Sequence, residues 1–364
     1  MNNENMNKKK INLASNADIA NIRLSNHQLL GTDCSTPRQI VAHFGMMQAQ
    51  DFNSAKWAIG VRLCGCTEKS VHEAFNKGEI LRTHVLRPTW HLVTPENIRW
   101  MLKLSAKQIM QSMKSRDREL GLSDEIYIKC YHIIENAFKK EDYLTREELM
   151  KTLHNTGMKV DTSQMNHVIT GAEANGIVCS GALREKKHTY ALLEKRVPAA
   201  KPLSKEESLA KLAKIYFMGH GPAALQDFVW WSGLPASEAR QGLESVQTEL
   251  ISETIDGQKY WKPNIDFRPS NKSELYLLPA FDEYIVGYKD RATVITSENH
   301  KKAVSSNGIF RPVVIKNGQV IGLWKKATSG KKAITVTPFE PFDHETQQQI
   351  DTLAEKFRAF FCLK

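Results

Sequence analysis

Two glutamines separated by one residue are the most chemically suggestive feature of the chain. In Met46-Met47-Gln48-Ala49-Gln50-Asp51-Phe52 they fall between a helix end at Gly45 and a helix start at Asp51. Side chains two residues apart leave opposite faces of a helix but the same face of an extended link. A short, irregular link would therefore send both carboxamides into one cleft. Each amide accepts a hydrogen bond through oxygen and donates through nitrogen. Such a pair can orient a water molecule, but it does not titrate and cannot serve as a general base. The competing reading is two solvated link residues, and Gln347-Gln348-Gln349 satisfies the same spacing. Asp51 reads as the cap of the next helix, its carboxylate taking backbone N–H groups. If it faced the water instead, it would add a base and extend the chemistry to more stable bonds.

Other familiar patterns fail on context. Gly219, Gly221 and Ala224 match G-x-G-x-x-A but follow a helix rather than a strand, which speaks against a dinucleotide site. Neither a P-loop nor a G-x-S-x-G spacing occurs. The six cysteines (Cys34, Cys64, Cys66, Cys130, Cys179, Cys362) read as free thiols, and Cys64, Cys66, His72, His84 and His91 lack metal-ligand spacing. No metal, cofactor or nucleotide is expected.

The elements that must place the glutamines repeat one plan. In the clearest copy, Lys205 to Met218, Ala223 to Trp231 and Pro235 to Val246 read as helices, with Pro222 tolerated at a first helical position. LISETIDGQKYWK then forms a hairpin about Asp256-Gly257. Three helices and a hairpin is the winged-helix arrangement. Residues 143–194 repeat it, with a Thr145/Glu148 capping box, a helix from Val160 to Asn175, and wing strands flanking SGALREKKH. Near the N-terminus, helices over Pro37–Gly45, Asp51–Leu63 and Thr67–Asn76 precede strands about Arg87-Pro88, and helices at 95–120 and 124–140 join this copy to the next. Beyond Pro263 the chain turns strand-rich, with Asn317-Gly318 as a tight turn and a final helix from His344 to Phe360. The expected class is α+β: three tandem winged-helix domains (19–140, 141–200, 201–263) plus a small C-terminal antiparallel β-barrel-like domain (264–364).

Composition sets outer limits. A chain of 364 residues with 41% apolar and 25% charged content is globular and long enough for two to four domains. It contains no apolar run able to span a bilayer. MNNENMNKKKINLASN carries basic residues with no apolar stretch behind them, so a cytoplasmic, membrane-free protein is expected. Net charge is +10, divided as +5 over 1–135, +2 over 136–200, −1 over 201–265 and +4 over 266–364. That balance suits a polyanionic partner and makes 201–265 the least suited to phosphates.

Four blocks together carry a resemblance: MMQAQDF, Arg87-Pro-Thr-Trp-His91-Leu-Val, GHGPAALQDFVWWSGL and LLPAFDEYIVGYKDR. From about Leu24 to Phe360 the chain resembles the AlkZ-like DNA glycosylases, a bacterial winged-helix family that excises alkylated bases, including crosslinked ones. The resemblance implies a C-shaped DNA channel built from three winged helices and a small barrel. It also implies a Gln-hydrophobic-Gln catalytic motif, in which Asp replaces the second Gln in a sister group. Gln48-Ala49-Gln50 matches the two-glutamine form.

A purine alkylated at N7 is already cationic and leaves as a neutral base, so placing a water and tolerating a sugar cation is most of the task. The expectation is a monofunctional, monomeric enzyme of DNA repair on alkylated duplex DNA, using water as nucleophile and no Schiff-base lysine. The alternatives are a non-catalytic winged-helix DNA-binding protein or regulator, and an interaction module. Around the glutamines, Asp51, His91 and Trp57 are candidate cleft-wall residues. Against that role, a satisfied buried histidine is the favoured reading for His91, and core packing the favoured reading for Trp57, Trp90 and Trp100. Arg87 and the tip Arg184, Lys186, Lys187 and His188 are candidate DNA contacts, the tip being equally readable as a solvated wing. Asp282-Glu283 and Trp230-Trp231 read as structural.

Overall fold

The computed structural model describes residues 13, 15–265, 267, 274–328 and 332–363. They fall into two compact units, Met1–Val71 with Leu209–Lys364, and His72–Ser208. The first stretch of chain forms α1 (Asn16–Asn26), α2 (Pro37–Phe44), β1 (Met46–Gln48), α3 (Phe52–Gly60) and α4 (Glu68–Asn76). Local chemistry sets these ends. Thr36 and Gln39 make a reciprocal capping box on α2, Pro37 occupies its first turn, and Gly45 ends it at φ 75°.

The second unit contains β2 (Leu81–His84), β3 (Trp90–Val93), α5 (Pro95–Glu119), α6 (Asp124–Ala137), β4 (Leu144–Thr145), α7 (Arg146–Asn155), α8 (Thr162–Ala174), β5 (Val178–Ser180), β6 (Thr189–Leu192) and α9 (Leu193–Arg196). The capping box expected at Thr145/Glu148 opens α7, and Asp161/Gln164 make another on α8. Helices α6, α7 and α8 bury Ile134, Leu149, Leu153, Met165 and Val168 against one another. The antiparallel sheet β4-β6-β5 completes this three-helix module. β2 and β3 pair antiparallel from Leu81↔Val93 to His84↔Trp90.

The chain then returns to the first unit through α10 (Lys205–His220), α11 (Leu225–Ser232), α12 (Ala236–Val246), β7 (Leu250–Ile255), β8 (Gln258–Pro263), β9 (Leu275–Leu278), α13 (Glu283–Val286), α14 (Ser297–Ala303), β10 (Val313–Lys316), β11 (Gln319–Lys326), β12 (Ile334–Pro338) and α15 (His344–Phe360). Both expected hairpin turns form, with Asp256 and Gly257 at φ 47° and 77°, and Asn317 and Gly318 at 50° and 80°. Pro222 does not open α11. Ala223 bridges Trp261 of β8, which holds the segment extended and delays the helix to Leu225.

The C-terminal region departs from expectation. Its sheet runs β12-β11-β10-β9, so the edge strands β9 and β12 are not paired with each other and the described residues form an open sheet, not a barrel. Indole groups and an aromatic ring bond and pack against β9. The Leu277 and Leu278 carbonyls accept the indole N–H of Trp57 (2.7 Å) and Trp324 (2.8 Å). Phe357 of α15 lies edge-on to both indoles.

Candidate functional site

The glutamine segment is more regular than an irregular link. Met46, Met47 and Gln48 form a strand, Ala49 is buried outside it, and Gln50 is exposed at the bend before α3. Gln48 is 9% exposed. One carboxamide therefore belongs to the interior and the other to the surface. Asp51 acts as the cap, its Oδ1 accepting the N–H groups of Asn53 (2.9 Å) and Ser54 (3.1 Å).

One anchor of β1 lies 235 residues away. The Gln48 N–H donates to Glu283 Oε1 at 2.9 Å. Glu283, on α13, is 1% exposed. Its other oxygen accepts the Trp231 indole N–H at 3.1 Å and faces His220 Nε2 at 3.2 Å. Main-chain N–H and indole N–H are obligate donors, so each carboxylate oxygen is committed as an acceptor. The second His220 nitrogen, Nδ1, has no hydrogen-bond partner among the described residues.

Two glycines make this convergence sterically possible. A Cβ on Gly219 would stand 2.7 Å from the His43 carbonyl oxygen at the end of α2. A Cβ on Gly287 would stand 2.8 Å from the His220 ring. Any larger residue at either place would push the end of α10 away from α2 or α13.

The neighbouring charges are also paired inside. Asp282 chelates Arg62 with two bonds of 2.8 and 2.7 Å, both side chains fully buried, while Arg62 also donates to the His27 and Ala58 carbonyls. Tyr288 donates its hydroxyl proton to the His220 carbonyl (2.6 Å), so at 2.7 Å it accepts from His27 Nε2. Burial, then the nearby His220 and Arg62, holds the His27 pKa well below its ordinary value. Burial likewise lowers His43 to about 4 against the opposing bond to the Asn26 carbonyl. Trp57 is 5% exposed and packs edge-on against Phe357 and Phe360, placing it in the core and not on an open cleft wall.

In the second unit His91 is fully buried, its Nε2 3.1 Å from Arg87 Nη2. Burial and then the Arg87 charge press its pKa well down. It is a core histidine with an arginine partner, and Arg87 is accordingly half-buried. In the wing, Arg184 binds Glu148 (2.6 Å) and the Tyr143 carbonyl (2.7 Å) within its own unit. Arg184 and Lys187 exchange backbone hydrogen bonds across a tight turn with Glu185 at φ 58°. Lys186 and Lys187 are exposed, and His188 is half-buried with its ring edge-on to Phe75.

Among the described residues no group of three or more His, Cys, Asp or Glu is arranged to hold a metal ion. No described helix is long and apolar enough to cross a membrane. Sequence reasoning read Asp282-Glu283 as structural and Trp230-Trp231 as packing, and gave His220 no role. The available signal was an acidic pair inside the apolar run LLPAFDEYIVGY, because a buried carboxylate demands donors.

Comparison with known proteins converges on one relationship. A curated relative from Streptomyces sahachiroi, described as an interstrand DNA cross-link repair glycosylase, is 24% identical over 319 residues, covering 82% of this chain and 84% of the relative. The solved structure of the Streptomyces sahachiroi DNA glycosylase AlkZ superposes with a TM-score of 0.79 at 21% identity, covering 95% of this chain and 96% of the other. The model of the AlkZ-like DNA glycosylase family matches residues 41–360, and the chain therefore belongs to that family.

Proposed function

We propose that this protein hydrolyses the N-glycosidic bond of purines alkylated at N7 in duplex DNA, with Gln48 and Gln50 as the catalytic pair. The observation that carries the reading is the placement of Gln48-Ala49-Gln50. One amide is fixed on a buried, anchored strand and the other stands at the solvent-exposed bend beside it. In the reaction the C1′–N bond breaks with its electron pair going to the cationic base, which leaves neutral. Water adds to C1′ and its proton passes to solvent. Amide oxygens orient that water and face the sugar cation, a task of positioning worth several kcal/mol without any titrating group. Asp51 is spent on its helix, which leaves no base in the motif and confines the enzyme to labile, cationic lesions. Water as nucleophile implies release of the base without cleavage of the strand.

The three helix-and-hairpin modules act as winged helices that hold the duplex, with Lys186 and Lys187 of the second wing contacting phosphates. The cross-link activity named for the Streptomyces relative extends here to crosslinks joined through N7, since each joined base is also a cationic leaving group.

The test is release of N7-methylguanine from a duplex under single-turnover conditions. Gln50→Ala should slow release by roughly 100-fold or more while duplex affinity stays within about twofold. Equal release by variant and wild type would remove the glutamines from the mechanism and leave a DNA-binding protein.

A further inference from the structure

Three of the four sequence blocks that mark the family meet at one buried side chain. MMQAQDF supplies the Gln48 N–H, GHGPAALQDFVWWSGL supplies His220 and Trp231, and LLPAFDEYIVGYKDR supplies Glu283. A carboxylate that merely completed a hydrophobic core would be an expensive choice, since burying it costs several kcal/mol that an apolar residue would not incur. Asp282, its neighbour, is matched by the Arg62 guanidinium. Among the described residues Glu283 has no guanidinium or ammonium as a hydrogen-bond partner; its partners are a peptide, an indole and an imidazole that makes an ion pair only when protonated. The Glu283 carboxyl is thus held by N–H groups, one of which belongs to the peptide of Gln48.

We propose that Glu283 is a positioning residue for base release. It clamps the peptide from which Gln48 projects, and it places a negative charge behind two neutral amides that carry none. The inference rests on the reading of Gln48 and Gln50 as the catalytic pair. As the glycosidic bond lengthens, positive charge moves from base to sugar. A fixed negative charge on the protein side of Gln48 favours that movement, and it acts through low-dielectric surroundings where charge is weakly screened. The pair of amides then has an electrostatic partner that stays out of reach of the substrate and of the attacking water. Glu283 does not exchange protons in the reaction.

The experiment separates charge from scaffolding. Glu283→Gln alone would set an amide N–H₂ against the Trp231 indole N–H, so it is made in a Trp231→Phe background. There the amide oxygen can still accept from Gln48, and His220 can shift its proton to Nδ1 and accept from the new amide. Single-turnover release of N7-methylguanine, duplex Kd and thermal unfolding are compared between Trp231→Phe and Trp231→Phe/Glu283→Gln. Loss of charge should slow release by about 10- to 100-fold, with Kd within about twofold and cooperative unfolding retained. Release within about twofold overturns the proposal, and so does a rate loss matched by an equal loss of duplex affinity.

Glu283→Asp keeps the charge but withdraws it by one methylene from the Gln48 N–H, and it serves if the double variant fails to fold. A smaller loss of rate, about fivefold, at unchanged Kd supports the clamp, and a wild-type rate overturns it. Were Gln50→Ala inactive while the Glu283 variants behaved as wild type, only this inference would fail. Wild-type protein that releases no alkylated base would take both readings down.

Discussion

The Gln48 strand and the Arg184–His188 turn carry the residues proposed for chemistry and for DNA contact, and they are built on opposite principles. At Gln48 the supporting groups are buried and bonded at specific atoms, down to a carboxylate 1% exposed that receives a single peptide N–H. At the turn, Lys186 and Lys187 stand in solvent, while Arg184 is satisfied locally by Glu148 and Tyr143. The contrast follows from the forces involved. A water aimed at one carbon needs placement to a fraction of an ångström. An ammonium near a phosphate works through a long-range field and gains from reach.

The sharpest way to break this comparison is to damage the buried side. Arg62→Met leaves the Asp282 carboxylate uncompensated in the interior, and it should cost about 3–5 kcal/mol of unfolding free energy. Chemical denaturation measures this, and a loss under about 1 kcal/mol would mean the interior relaxes as readily as the surface.

Acid should act on the same region. His27 and His43 stay neutral in the folded chain but accept protons near pH 6.5 once unfolded. Stability is then full above about pH 6.5 and declines as pH falls toward 4, by up to about 1.4 kcal/mol per unit for each histidine. A flat stability curve between about pH 7.5 and 5 contradicts this.

Asp51 is exposed, two residues beyond the buried Ala49. Asp51→Ala should cost about 1 kcal/mol through the lost α3 cap. Asp51→Asn, which also caps, should keep both stability and base release within about twofold. A large loss of release in the Asn variant would restore the carboxylate as a base.

The smallest effects belong to the wing. Lys186→Ala and Lys187→Ala should each reduce the slope of log Kd against log salt by about 0.9 for every phosphate that the lysine neutralises. Release from a saturated complex should be unchanged, and an altered rate at saturation would make the wing part of the chemistry.

Much of this was legible in the sequence because it is encoded locally. Thr145/Glu148, Asp256-Gly257 and Asn317-Gly318 specify caps and turns within a few residues, and each formed where its chemistry required. The Asp51 cap is of the same kind. Helices α13 and α14 went unread as segments of a turn or two, and α1 because its buried face mixes Arg23 and Asn26 with Ile19, Ile22 and Leu24. The expected barrel failed because closure depends on whether the edge strands β9 and β12 meet, a relation between distant segments that no local pattern encodes. His91 and Trp57 lie on the elements expected for them, and their burial agrees with the core readings that the sequence favoured. Glu283 escaped for the deepest reason: its partners are 52, 63 and 235 positions away, and no local pattern announces them.

Those separations also govern how the molecule comes into being. A growing chain exposes Gln48 and Gln50 early, yet the peptide that carries Gln48 gains its Glu283 contact only after residue 283 has emerged and a loop of 235 residues has closed. Interactions spanning such distances form against a large entropic cost and reward the chain only when many are made together. Competence at the glutamines is thus a report on the assembly of the whole discontinuous unit, and a truncated or partly folded polypeptide would display the motif without the means to use it.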